Sequence, residues 1–130
     1  MRIEAYFQRI QEVVETHQVI DVSNITFEKR STYVGYIRGQ LTFLNDSILH
    51  FREYVDIEDA TEYRLMYVYQ YINPYGKMIF RYDNTGHHKK LGLSSYPHHK
   101  HEGNEDSVFA SSAPDLATIL NEIELLVQLS

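Results

Sequence analysis

The chain contains no cysteine among its 130 residues, which excludes a disulfide scaffold, a thiolate metal site and a thiol nucleophile. Any metal would have to be held by His, Asp or Glu. Long apolar runs are missing too. Nowhere do eighteen apolar residues follow one another, and the opening MRIEAYFQRIQEVVE carries Glu4 and Glu12 where a secretory leader needs an uncharged apolar segment. The expectation is a soluble, cytoplasmic protein with no membrane partner. There is no Gly-rich phosphate loop, GxSxG elbow, HExxH or dinucleotide fingerprint, so the chemistries that those motifs carry lack support. No internal repeat or low-complexity linker interrupts the chain, and its length suits one domain over residues 1–130.

What the chain has in quantity is histidine, and in one place. Phe80 to His101, FRYDNTGHHKKLGLSSYPHHKH, gathers five of the seven histidines with Arg81, Lys89, Lys90 and Lys100. An unperturbed imidazole, with a pKa of about 6.5, exchanges protons near neutrality and is the commonest metal ligand. The net charge of −6 argues against indiscriminate nucleic-acid binding, yet the basic character is local: Lys77 to His101 sets five Lys or Arg against Asp83 alone.

Two stretches have helical periodicity. Ile3, Tyr6, Phe7, Ile10, Val13 and Val14 recur at three- and four-residue steps and predict a helix over about 3–16. Leu116, Ile119, Leu120, Ile123, Leu126 and Val127 predict a second over about 114–129, with Ser112 as cap, Pro114 in the first turn and Asp115 complementing the dipole. Between them the period falls to two, with strands expected near 25–30, 33–44, 47–57, 62–72 and 77–82. Asn45-Asp46 and Asn73-Pro74-Tyr75-Gly76 read as tight turns, Asp56 to Glu62 as an acidic solvated loop, and 91–112 as a long polar loop. Short connections mean an antiparallel meander. The fold class is therefore α+β: a curved antiparallel meander of about five strands, with the N-terminal and C-terminal helices on one face.

Alternation then assigns faces. If the aliphatic side of each strand meets the helices, the exposed face presents His50, Arg52, Tyr54, Tyr67, Tyr69 and Arg81, joined by Arg38. That set suits a phosphodiester: arginine pairs with phosphate oxygens, tyrosine stacks or hydrogen-bonds, and histidine moves the proton of an RNA 2′-hydroxyl. The bland reading is a solvated face of cross-strand pairs worth about 0.2–1 kcal/mol each. In Pro97-His98-His99-Lys100-His101, His98 or His99 could converge with His101 and a carboxylate on a metal, but Lys100 opposes a dication and zinc motifs bring two spaced ligand pairs. No resident metal or cofactor is expected. The run could also bind phosphate or an acidic partner, or supply an acid or base, while His87-His88-Lys89-Lys90 reads most simply as a solvated charge run.

Several segments together resemble one family. HFREYVD (50–56), YRLMYVYQY (63–71), FRYDN (80–84), His87-His88 and PHHKH (97–101), preceded by YIRG (36–39), are similar in order and spacing to the TumE-like toxin family, whose prokaryotic members are encoded beside an antitoxin. The resemblance points to Arg38, His50, Arg52, Arg81, Asp83, His98, His99 and His101. It implies a toxin with a cognate antitoxin partner; the His, Arg and Tyr set adds the expectation of metal-independent cleavage of RNA or another attack on RNA. His50, Arg52, Arg81, His98, His99 and His101 are the expected catalytic groups. Arg38, Tyr54, Tyr67, Tyr69, Lys89, Lys90 and Lys100 are the expected substrate-binding groups. A second copy of the chain is a further candidate partner. The alternative is a non-catalytic module that binds a metal or a protein through the His-rich 87–101 loop.

Overall fold

A computed structural model of the chain describes residues 1–84, 97–104 and 107–129. Helix α1 (Ile3–Glu15) turns Ile3, Tyr6, Ile10 and Val14 inward, the stripe its sequence requires. Helix α2 (Leu116–Leu129) buries Leu116, Ile119, Leu120 and Ile123. Its cap is Asp115 rather than Ser112: the Asp115 carboxylate accepts from the Thr118 backbone N–H at 2.9 Å and from its hydroxyl at 2.8 Å. Asp outranks a more distant Ser because it stands one residue before the first helical position, where its oxygen reaches the orphan N–H groups.

Among the described residues the strands are β1 (Ile20–Lys29), β2 (Val34–Phe43), β3 (Ile48–Glu58), β4 (Thr61–Ile72), β5 (Met78–Asp83), β6 (His99–Glu102) and β7 (Val108–Ala110). They lie in sequential order in one sheet, each antiparallel to the next. The α+β meander is as expected, with seven strands in place of about five. The two additional strands fall in what the sequence suggests is loop, and β6 carries PHHKH into the sheet. The segment from Asp56 to Glu62 is likewise not a loop. Both strands run on to a two-residue turn in which Asp59 and Ala60 have φ of 49° and 61°, the backbone signs of a type I′ hairpin. In the next turn, Asn73 accepts through Oδ1 from the N–H groups of Tyr75 and Lys77, both at 2.9 Å, and Gly76 takes φ of 85°.

Both helices pack on one face of the sheet, over Ile37, Leu41, Leu49, Phe51, Val55, Tyr69 and Phe80. The other face is open over β2 and β3, where Arg38, His50 and Arg52 are exposed, and closed around Asp83, His99 and His101, which are buried. On β4 the expected assignment is reversed: Tyr67, Tyr69 and Tyr71 are buried against the helices, and Met66 and Val68 point the other way. Register is the cause, since Tyr69 lies opposite Phe51 and Tyr71 opposite Leu49, and paired residues share a face. The buried hydroxyls have partners; Tyr71 donates to Oγ of Ser47 at 2.7 Å.

Gly39 lies directly opposite Phe51. A Cβ there would stand 2.3 Å from Cε1 of that ring, which is itself stacked on Tyr69 at 6.4 Å. Gly39→Ala is expected to displace Phe51 and cost about 1–3 kcal/mol. Urea denaturation measures this, and an unchanged midpoint would mean that Phe51 yields freely.

Candidate functional site

The ladder register lays polar side chains across the open face in two adjacent rows. One runs Arg38, Arg52, Val68, Asp83, His99, each residue directly opposite the next on the neighbouring strand. The second runs Gln40, His50, Gln70, Arg81, His101 in the same way. With strands about 4.8 Å apart, the rows bring residues far apart in sequence onto one surface. Arg38, His50, Arg52, Val68, Gln70 and Arg81 surround a depression of about 230 Å³.

The electrostatics of this depression are one-signed. Arg38 and Arg52 are exposed and directly opposed, and like charges in that position destabilise a sheet. Among the described residues neither has an acidic partner. Arg81 differs, because its Nε donates to Oδ2 of Asp83 at 3.0 Å.

Asp83 is the centre of a second, buried group. It is 1% exposed, and His99 and His101 are each 2% exposed. Nε2 of His99 is 2.7 Å from Oδ1 of Asp83, and Nε2 of His101 is 3.4 Å from Oδ2. The two imidazoles meet edge to face with centroids 5.0 Å apart. On its far side His99 places Nδ1 2.9 Å from the Pro97 carbonyl oxygen. A carbonyl only accepts, so Nδ1 carries a proton and Nε2 is turned to the carboxylate. The donor set of two imidazoles and a carboxylate is one that metals use.

The profile of the family described as Toxin TumE matches residues 10–127. The chain belongs to the TumE toxin family. All seven strands fall inside that match. Searches of curated proteins and of solved structures return no match. No helix among the described residues is long and apolar enough to cross a membrane.

The expected site residues divide. Arg38, His50, Arg52, Arg81, His99 and His101 share the open face, and half-buried Tyr54 lies on the same side of β3. Tyr67, Tyr69, His98 and Lys100 do not join them. Tyr67 and Tyr69 are fully buried under the helices. His98 stacks on Tyr67 at 5.7 Å, with Nδ1 2.8 Å from its hydroxyl. Burial, with the positive charges of Arg64 and His99, pushes the His98 imidazole down. Lys100 turns to the helix side, where Nζ meets Glu102 at 2.8 Å and Glu122 of α2 at 3.8 Å. Alternation along β6 separates it from His99 and His101. Lys89 and Lys90, with His87 and His88, lie outside the described residues.

Beneath the sheet the TumE fold holds a polar network that sequence reasoning missed. Glu53 is fully buried; Tyr6 donates to its Oε1 and Tyr69 to its Oε2, the latter at 2.6 Å. Arg64 lies 4.3 Å from the Tyr67 ring centre, donates to the Tyr69 hydroxyl at 3.0 Å, and ties β4 to the Ala113 and Pro114 carbonyls at 2.7 and 2.8 Å. The signal was present: Glu53 interrupts the apolar positions Leu49, Phe51 and Val55 of its strand.

Burial pushes the Glu53 carboxyl up from its ordinary value of 4.5, against the two hydroxyl donors and Arg64, which pull it down. A carboxyl raised in the folded state binds its proton more tightly there, so folding is favoured below the unfolded value and penalised as pH climbs from it to the folded one. The stability of the wild type relative to Glu53→Gln should therefore fall as pH rises above about 4.5. Denaturation of both proteins across pH measures this. A difference that grows with pH would mean that the hydroxyls and Arg64 dominate.

Proposed function

We propose that this TumE-family toxin is the poison half of a toxin–antitoxin pair and that it acts on RNA by metal-independent cleavage on the open face of the sheet. The observation that carries the reading is the opposed pair Arg38 and Arg52, without an acidic partner among the described residues, beside His50 and Arg81 in one depression. An arrangement that costs stability in the free protein is relieved when an anion binds between the charges. Arginine's forked donors match phosphate oxygens. RNA is the anion that also offers a nucleophile, the 2′-hydroxyl, within the same unit.

In this reaction Arg38 and Arg52 hold the scissile phosphate and stabilise the charge that develops on it. His50, exposed between them and Arg81, takes the proton of the 2′-hydroxyl as its oxygen attacks phosphorus. The bond from phosphorus to the 5′-oxygen breaks, and that oxygen receives a proton from His101, whose ring Asp83 and His99 orient. The products are a 2′,3′-cyclic phosphate and a 5′-hydroxyl end. A cognate antitoxin would silence the toxin.

Arg52→Ala and His50→Ala test this reading best, because both side chains are exposed and their loss should alter stability by no more than about 0.5 kcal/mol. Each should relieve growth arrest on induced expression and slow RNA cleavage by about 100-fold or more, the usual loss when one transition-state donor is removed. Growth assays, thermal melts and end analysis of cleaved RNA would be run together. Full toxicity of both folded variants would refute the site, and toxicity without RNA damage would refute the substrate.

Chelation gives a second test. Cleavage by the wild type should persist in EDTA, because proton transfer and phosphate binding are supplied by side chains alone. Activity that vanishes with chelator and returns only with added metal would replace this mechanism with a metal-dependent one.

A further inference from the structure

We infer that Asp83, His99 and His101 form a binding site for one divalent transition-metal ion, with zinc the simplest case. The ligands come from two hydrogen-bonded strands: His99 and His101 alternate onto the same face of β6, and Asp83 faces His99 from β5. Their ligand atoms all lie within 4.8 Å of one another, and all three side chains are buried.

Three details favour a metal over a plain ion pair. First, Nδ1 of His99 is occupied by the Pro97 carbonyl, the outer contact that fixes a ligating imidazole and presents its other nitrogen. Second, that nitrogen faces a carboxylate oxygen at 2.7 Å, so an imidazole with its proton on Nδ1 turns its lone pair to the same point as an anionic oxygen, as two ligands of one cation do. Third, the spacing is close to what an ion needs. Tetrahedral zinc, with bonds of about 2.0–2.1 Å, sets its ligand atoms about 3.4 Å apart. The separation of His101 Nε2 from Asp83 Oδ2 is 3.4 Å, and one ligand atom from each of the three residues lies within 4.8 Å of the other two. Arg81, with Nε 3.0 Å from Oδ2, opposes the dication and tempers the affinity.

A metal seated here takes the imidazole lone pairs that would otherwise carry a proton to the leaving oxygen. Zinc is therefore an inhibitor of cleavage, a consequence that rests on the ribonuclease reading; the binding site itself does not.

The test is calorimetric titration of metal-stripped, full-length protein with zinc chloride. One equivalent should bind, His101→Ala and Asp83→Asn should each weaken it by at least about 100-fold, and His50→Ala should leave it unchanged. Arg81→Gln should tighten it roughly tenfold, through loss of a nearby like charge. Binding that ignores the His101 and Asp83 substitutions would come from other histidines and would overturn the proposal, as would no binding at all. Because these variants remove buried groups, histidine-ring NMR of the wild type provides a second measure. Zinc must shift two imidazole systems and leave that of His50 in place; shifts confined to other histidines would refute the site. In the RNA assay, one equivalent of zinc should suppress cleavage and chelator should restore it, whereas unchanged or increased cleavage would overturn the inhibitory role. If no preparation cleaves RNA, the ribonuclease reading fails while calorimetry still decides the metal site.

Discussion

The cross-strand register of one antiparallel sheet is the constraint on which everything else depends. Because side chains opposite one another share a face, fixing Arg38 opposite Arg52 and Asp83 opposite His99 fixes the composition of the open surface. The same register sends Phe51, Tyr69 and Phe80 to the helices. A slip of one residue in any strand would exchange the two sets. Core packing therefore protects the polar rows: a strand can only present its arginine or histidine outward while its neighbours along the chain remain buried beneath α1 and α2.

Much of this was legible in the sequence. The two helices follow from three- and four-residue spacing, and β2 to β5 from alternation, because each of those patterns has one energetically sensible burial. The face of β4 was harder to read. Its alternate positions are Met66 and Val68 against Tyr67, Tyr69 and Tyr71, and simple hydropathy sends the tyrosines outward. A tyrosine ring is a large apolar body, however, and it buries readily once its hydroxyl has a partner. Those partners, Ser47, Glu53 and His98, lie on other elements, so nothing local announces them. Strand β6 was hidden for a related reason. His-Lys-His-Glu has little strand propensity, and what makes it a strand is the edge of β5, a tertiary effect that outweighs local preference. Once β6 is placed, Asp83 changes from a turn-flanking acid to the centre of a buried group.

The two polar systems on either side of the sheet meet their costs differently. Glu53 is removed from water yet accepts two tyrosine hydroxyls, with Arg64 close by; a buried carboxyl so surrounded links α1, β3 and β4 and leaves few lone pairs unmet. Arg38 and Arg52, in contrast, remain hydrated and face each other without an acid between them. The first arrangement is complete in the folded chain. The second has no acidic partner among the described residues, which makes the open face, and not the buried network, the place to look for a ligand.

Asp83 connects these two regimes. Its carboxylate is approached by Arg81, which also borders the exposed depression, and by the two buried imidazoles of β6. One carboxylate is shared among three partners, and the balance shifts with whatever occupies the neighbouring surface. An anion held by Arg81 weakens that arginine's claim on Asp83 and leaves the carboxylate more available to His99 and His101. An anion on the exposed part of this face and a cation at the buried part would thus be coupled through one side chain, with no movement of the sheet required.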